Sequence, residues 1–169
     1  MKISNTNVET PWLLLTFTLP TKRASQRVEV WRKLQRYGSV ALGNSGYLLP
    51  NNPTNQERFE WLAAAIRKYA GESSGVKVES IDNFSSQQLI GRFAEARARE
   101  YQELIHEVKK LSSIAPERRG TGRISRLRTR FREIVEIDFF NSPLQKRVEE
   151  LFARTDTPTS ATKDAPRVN

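Results

Sequence analysis

From Trp12 to Leu19 the chain alternates: Leu13, Leu15, Phe17 and Leu19 take one set of positions, and Trp12, Leu14, Thr16 and Thr18 the other. A period of two with one wholly apolar face predicts a β-strand buried on at least one side. Pro20 ends it, because proline has no N–H to give a ladder. The period then lengthens. Ala24, Val28, Trp31 and Leu34 share one side of a helix predicted from a Thr21 cap to about Tyr37, with Gly38 closing it. Ser39 to Leu42 and Tyr47 to Leu49 read as short strands around the turn chemistry of Gly43-Asn44-Ser45-Gly46. Beyond Pro50-Asn51-Asn52-Pro53 a second helix is expected from Asn55 to Ala70. Phe59, Leu62, Ile66 and Tyr69 turn inward on it, and Gly71 closes it. Val76 and Val78 alternate with Lys77 and Glu79 in a fourth strand reaching about Ile81.

Strand, helix, strand, strand, helix, strand is an α+β pattern. It is the order of a ferredoxin-like βαββαβ sandwich, with two helices on one face of a four-stranded sheet. This part is assigned to residues 11–84. A long helical extension over residues 85–153 follows. Ser85 and Gln88 form a capping box, opening a helix to about Leu111 whose stripe is Ile90, Phe93, Ala94, Tyr101, Leu104, Ile105, Val108 and Leu111. After a linker with Pro116, Gly120 and Gly122, a helix from near Arg123 turns Ile124, Leu127, Phe131 and Ile134 inward. Ser142 and Pro143 start a last one, with Leu144, Val148, Leu151 and Phe152 on its face. Residues 154–169 lack apolar periodicity and are expected to form a disordered tail.

Charge adds what the pattern alone does not. Among 169 residues, 28 Lys and Arg outnumber 19 Asp and Glu, a net +9 that points to a polyanionic partner, nucleic acid or an acidic membrane surface. The excess is local. Lys22 to Arg36 carries +5 and Glu117 to Arg132 carries +6, the latter from Arg118, Arg119, Arg123, Arg126, Arg128, Arg130 and Arg132. Arginine's fork matches phosphate oxygens and guanine edges, and Gly120 and Gly122 admit a close anion. The alternative is a solvated helix face pairing with Glu133, Glu136 and distant acids.

The remaining chemistry is mostly exclusion. Without cysteine there is no disulfide, thiol catalysis or zinc–thiolate site, and the single His106 rules out a multi-histidine metal centre. The longest apolar run, Trp12 to Leu15, is too short to span a bilayer, and Met1 to Thr10 does not resemble a signal peptide, so a cytoplasmic location is expected. The first strand ends without the aspartate that small metal-dependent nucleases of this fold place there, and Asp82 and Asp138 stand isolated. No enzyme, catalytic residue, metal or cofactor is expected. Trp61 lies about 160° around its helix from Phe59. Either the C-terminal helices cover it, through Ile124, Phe131, Phe139 or Phe140, or it makes a homodimer contact. A protein-interaction or dimerisation module that pairs through the sheet edge or Trp61 with an acidic partner is a second reading, and sheet aromatics stacking RNA bases form a third, weakened because Phe17 sits on the core face.

Several strings, in order, resemble the N-terminal domain of the chromate-resistance regulator ChrB. They are Trp12-Leu-Leu-Leu, Leu19-Pro-Thr-Lys22, Arg27-Val-Glu-Val-Trp-Arg-Lys-Leu34, Gly46-Tyr-Leu-Leu-Pro50 and Ile134 through Phe140, the last preceded by the arginine-rich helix. The likeness runs from about Pro11 to Phe152. It implies a transcriptional regulator of a chromate efflux operon that binds operator DNA. By position, Lys22, Arg27, Arg32 and Lys33 of the first helix and Arg123, Arg126, Arg128 and Arg130 become candidate contacts, beside Arg118 and Arg119. Arg119 and Arg123 are further candidates for holding an oxyanion. Long members continue into a second domain associated with chromate sensing; this sequence ends at Asn169.

Overall fold

The first strand becomes the centre of an antiparallel sheet because its apolar run offers both faces for burial. The computed structural model describes residues 11–44, 46–114 and 121–156. Strand β1 (Trp12–Thr18) pairs with β3 (Gly46–Pro50) on one side and β4 (Glu72–Val78) on the other; β2 (Val40–Leu42) flanks β3, giving the order β2-β3-β1-β4. Five helices are described: α1 (Ala24–Arg36), α2 (Pro53–Lys68), α3 (Ser86–Ser112), α4 (Thr121–Glu136) and α5 (Leu144–Asp156).

Leu13 and Leu15 sit in register with Leu49 and Tyr47, and they share a core with Val30 and Leu34 of α1 and Phe59, Leu62 and Ile66 of α2. The other set of side chains is covered too. Trp12 stacks on Phe93 of α3 (centroids 5.8 Å apart, planes 5° apart), and Phe139 and Phe140 close around Phe93 at 6.0 and 5.6 Å. A second core joins the later half of α3 to α4 and α5 through Tyr101, Leu104, Val108, Ile134, Val148 and Phe152. Helix α3 therefore belongs to both layers.

Several local expectations shift. Thr21 does not cap α1: Pro20 to Arg23 first makes a turn (Arg23 N–H to the Pro20 carbonyl, 3.0 Å), and the helix starts at Ala24 with no side-chain cap. Helix α2 starts earlier than expected, at Pro53, because the Asn52 side chain accepts the Asn55 N–H at 2.8 Å and proline suits the first turn. At the end of α1, Gly38 has φ +73°, and the Ser39 and Gly38 N–H groups reach back to Leu34 and Gln35. A Cβ on Gly38 would stand 2.7 Å from Ile137 Cβ, so a side chain is excluded as well. Helix α2 ends by the same motif, with its glycine one position later. Ala70 takes the left-handed position (φ 59°), while Gly71 is needed because a Cβ there would strike the Thr18 carbonyl and Ile66. Strand β4 stops at Val78, and Ile81 instead bridges Phe84. The Ser85–Gln88 capping box forms as expected. On α3, Ala94 is exposed and Arg97 takes a buried place in the stripe. Linker residues 115–120 and tail residues 157–169 lie outside the described residues; the last helix runs to Asp156, three positions into the expected tail.

Candidate nucleic-acid interface

Helix α4 turns Leu127, Phe131 and Ile134 into the second core, which leaves its arginines on the two flanks and the outer face. Their surroundings sort them. On the flank toward α3, Arg130 Nη2 and Nη1 meet Glu103 and Glu107 at 2.8 and 2.7 Å. Those two acids stand one turn apart on α3 and form a clamp around one guanidinium. Arg128, on the other flank, lies over the Phe152 ring at 4.7 Å. Arg132 donates to Thr129 Oγ1 at 3.1 Å. Arg123 and Arg126 are exposed and form no ion pair with a described residue. With Lys110 they rim a 300 Å³ groove floored by Leu111, Ile114 and Leu127, where Glu107 is already engaged by Arg130. The arginines expected to act together are thus divided between braces and free cations. Arg118 and Arg119 lie outside the described residues.

The basic residues of the first helix divide in the same way. Arg27 Nη2 donates to the carbonyls of Leu19 and Pro20 at 3.3 and 3.0 Å, tying the strand exit to the helix. Lys33 pairs with Glu29 at 3.1 Å, and Glu29 also accepts the Tyr69 hydroxyl at 2.7 Å. That hydrogen bond, with Lys33 beside it, holds the Glu29 carboxyl below its ordinary value and raises Tyr69. Lys22 and Arg32 are exposed. The Gly38–Ile137 contact sets the C-terminal end of α1 against the end of α4. Arg123 is 14 residues upstream, about 21 Å along a helix, so Arg123 and Arg126 stand at the far end.

Trp61 is 67% exposed, so coverage by the C-terminal helices does not occur. Phe139 and Phe140 are instead drawn to Phe93 and Trp12, and Phe131 to Tyr101 and Phe152. Phe17 stacks on Tyr47 at 5.9 Å against the core, which removes its face from base stacking. His106 is exposed. No cluster of three metal-ligating side chains occurs among the described residues. No helix among them is long and apolar enough to cross a membrane.

The sequence reading missed a buried polar cluster. Arg97 lies between Phe93 and Tyr101 at helical spacing and is 4% exposed. Its Nη1 lies 2.8 Å from Glu100 Oε2, yet these atoms and Nε lack an aligned hydrogen-bond partner among the described residues. Burial lowers the Arg97 pKa and raises that of Glu100. Asp138 is not isolated: its Oδ2 accepts the Tyr101 hydroxyl (3.0 Å) and the Ser142 N–H (2.9 Å), fixing the turn into α5. Burial and the Asp138 carboxylate raise the Tyr101 pKa. The available signal was an arginine on an i, i+4 ladder of buried positions with an acid three residues on.

Comparison with known proteins bears on what this surface serves. A family described as "Protein ChrB, N-terminal" matches residues 27–161, from within α1 onward. Protein ChrB of Cupriavidus metallidurans is 31% identical over 105 residues, covering 62% of this chain and 32% of that protein. The chain thus spans about a third of the curated relative it matches. No solved structure matches. The chain belongs to the ChrB N-terminal family.

Proposed function

We propose that this member of the ChrB N-terminal family is a DNA-binding transcriptional regulator of chromate or related oxyanion resistance, acting in the cytoplasm without catalysis. Arg123 and Arg126, with Lys110, are the core of its phosphate grip. The observation that carries the reading is the division on α4: among the described residues, the acids beside this end, Glu103 and Glu107, are held by Arg130, while Arg123, Arg126 and Lys110 stand together at the groove. Lys22 and Arg32 offer a second patch, and Arg118 and Arg119 extend the first in sequence. The strand order β2-β3-β1-β4, with α1 and α2 between strands, supports a ferredoxin-like scaffold over residues 11–84. An oxyanion held by Arg119 and Arg123 belongs to the same reading. Chromate, sulfate and phosphate share its tetrahedral charge.

The test is a salt-titrated gel shift with DNA from upstream of the chain's own gene, against unrelated DNA of equal length. If about six phosphates are neutralised, log affinity falls with log salt at a slope near −5. Equal, weak retention of both DNAs at physiological salt would overturn the regulator reading. A protein-interaction module is the second reading, favoured by exposed Trp31 and Trp61 (53% and 67%). It predicts a stable assembly with no DNA retention.

A further inference from the structure

We propose that β4 is a self-association edge: a second copy of this chain lays its own β4 antiparallel beside the first, joining two four-stranded sheets into one. This stands apart from the DNA-binding proposal and holds whether or not DNA is bound.

The sheet's two edges differ. Strand β2 has three residues and is overlaid from α3, where Arg92 sits over the Phe84 ring at 4.4 Å and donates to the Ala41 carbonyl at 3.3 Å. Strand β4 has seven, pairs among the described residues only with β1, and leaves Glu72, Ser74, Gly75, Val76 and Lys77 exposed, Val76 at 48%. Its sequence, Glu-Ser-Ser-Gly-Val-Lys-Val, has no proline to block a ladder. An open edge of this length is a template for another strand.

Charge favours a second copy as the occupant. Two chains of +9 repel over most of their surface, but β4 is neutral, with Glu72 balancing Lys77. Antiparallel pairing centred on Ser74 sets Glu72 opposite Val76 of the second copy and Ser73 opposite its Gly75, so no like charges face each other. Helix α2 extends the match. Ser73 Oγ donates to the Ala63 carbonyl and accepts from Arg67 Nη1, both at 3.3 Å, which places Ala63 beside Ser73, one position from the pairing centre. A 310 Å³ groove between α2 and β4 is bordered by Glu60, Ala63 and Arg67. Run against itself across a two-fold axis, this flank brings Glu60 of each copy toward Arg67 of the other, with the small Ala63 near the axis. A strand edge alone falls short of the roughly 800 Å² per partner of a stable interface, so the helix flanks have to contribute. The pairing is closed and isologous, and it leaves only the short, overlaid β2 strands at the ends of the joined sheet.

Sedimentation velocity on the whole chain at micromolar concentration is the test. The wild type is expected to sediment as a dimer. Ser74→Arg sets two cations face to face and should give a monomer with unchanged circular dichroism. Glu60→Arg should weaken the dimer by about tenfold, and Glu60→Arg with Arg67→Glu should restore it, an outcome that misfolding cannot mimic. Trp61→Ser should leave it intact. A wild type that stays monomeric, a dimer indifferent to Ser74→Arg and Glu60→Arg, or one lost in Trp61→Ser would overturn the proposal.

Discussion

The sheet layer and the helical layer solve the same problem differently. Around β1 the core is leucine, valine and aromatic carbon, and the charges of α1 stay outside it. Between α3, α4 and α5, charge is part of the structure: Arg97 and Glu100 are drawn in, Asp138 ties a turn, and Arg130 bridges two acids. In the first layer every basic residue lies outside the core, even where carbonyls or an acid hold it, as with Arg27 and Lys33. In the second, an arginine's role depends on which side of the helix carries it and what faces it there. Arg126 and Arg130 are one turn apart on one helix, and only the second is clamped.

The largest break should come from the residue that serves the sheet's second face. Phe93→Ala removes the ring on which Trp12 stacks and which Phe139 and Phe140 enclose, and should cost about 3–5 kcal/mol in chemical denaturation. A loss under about 1 kcal/mol would mean that α3 is not part of the sheet's core. Next is the buried pair. Arg97→Leu strands Glu100, which is itself partly exposed, and should cost about 2–3 kcal/mol; Arg97→Leu with Glu100→Leu should recover most of it. Failure of the double variant to recover would show that Arg97 matters for contacts other than Glu100.

The end of α2 sharpens the comparison at a smaller scale. Gly71→Ala should destabilise by about 1–3 kcal/mol through its clash with the Thr18 carbonyl and Ile66, whereas Ala70→Gly should stabilise by up to about 1 kcal/mol by relieving a left-handed alanine. Reversed signs in thermal melts would refute that assignment. The smallest effect is surface pairing. Arg130→Ala should lose about 1 kcal/mol, and Arg126→Ala should lie within about 0.5 kcal/mol of wild type.

The strands and helices were legible where periodicity is local: the alternation of Trp12 to Leu19, the capping box at Ser85 and the apolar stripe of α5 all report on near neighbours. What was not legible depended on distant partners. Nothing near Trp12 says that Phe140 will cover it, or that Phe139 and Phe140, drawn to Phe93, leave Trp61 bare. Glu103 and Glu107 are visibly one turn apart, but only the packing of α4 on α3 decides which arginine they hold. Arg97 was passed over because a hydrophobic stripe counts apolar residues, and an arginine inside one leaves only a gap. Gly71 marks the end of α2 in the sequence for the wrong reason: glycine there answers a steric approach, not a backbone angle.

On the proposed reading Arg123 and Arg126 are free to meet a polyanion while Arg130 is not. The most direct test is the salt dependence of DNA binding for Arg123→Ala/Arg126→Ala beside Arg130→Gln/Glu103→Gln/Glu107→Gln, which removes the clamp without releasing its acids, on protein whose folding has been checked. The double variant should bind more weakly and flatten the log–log slope by about 2 per protomer, with the triple variant leaving the slope no flatter than wild type. A slope unchanged in the double variant, or flattened in the triple variant, would contradict this division of the arginines.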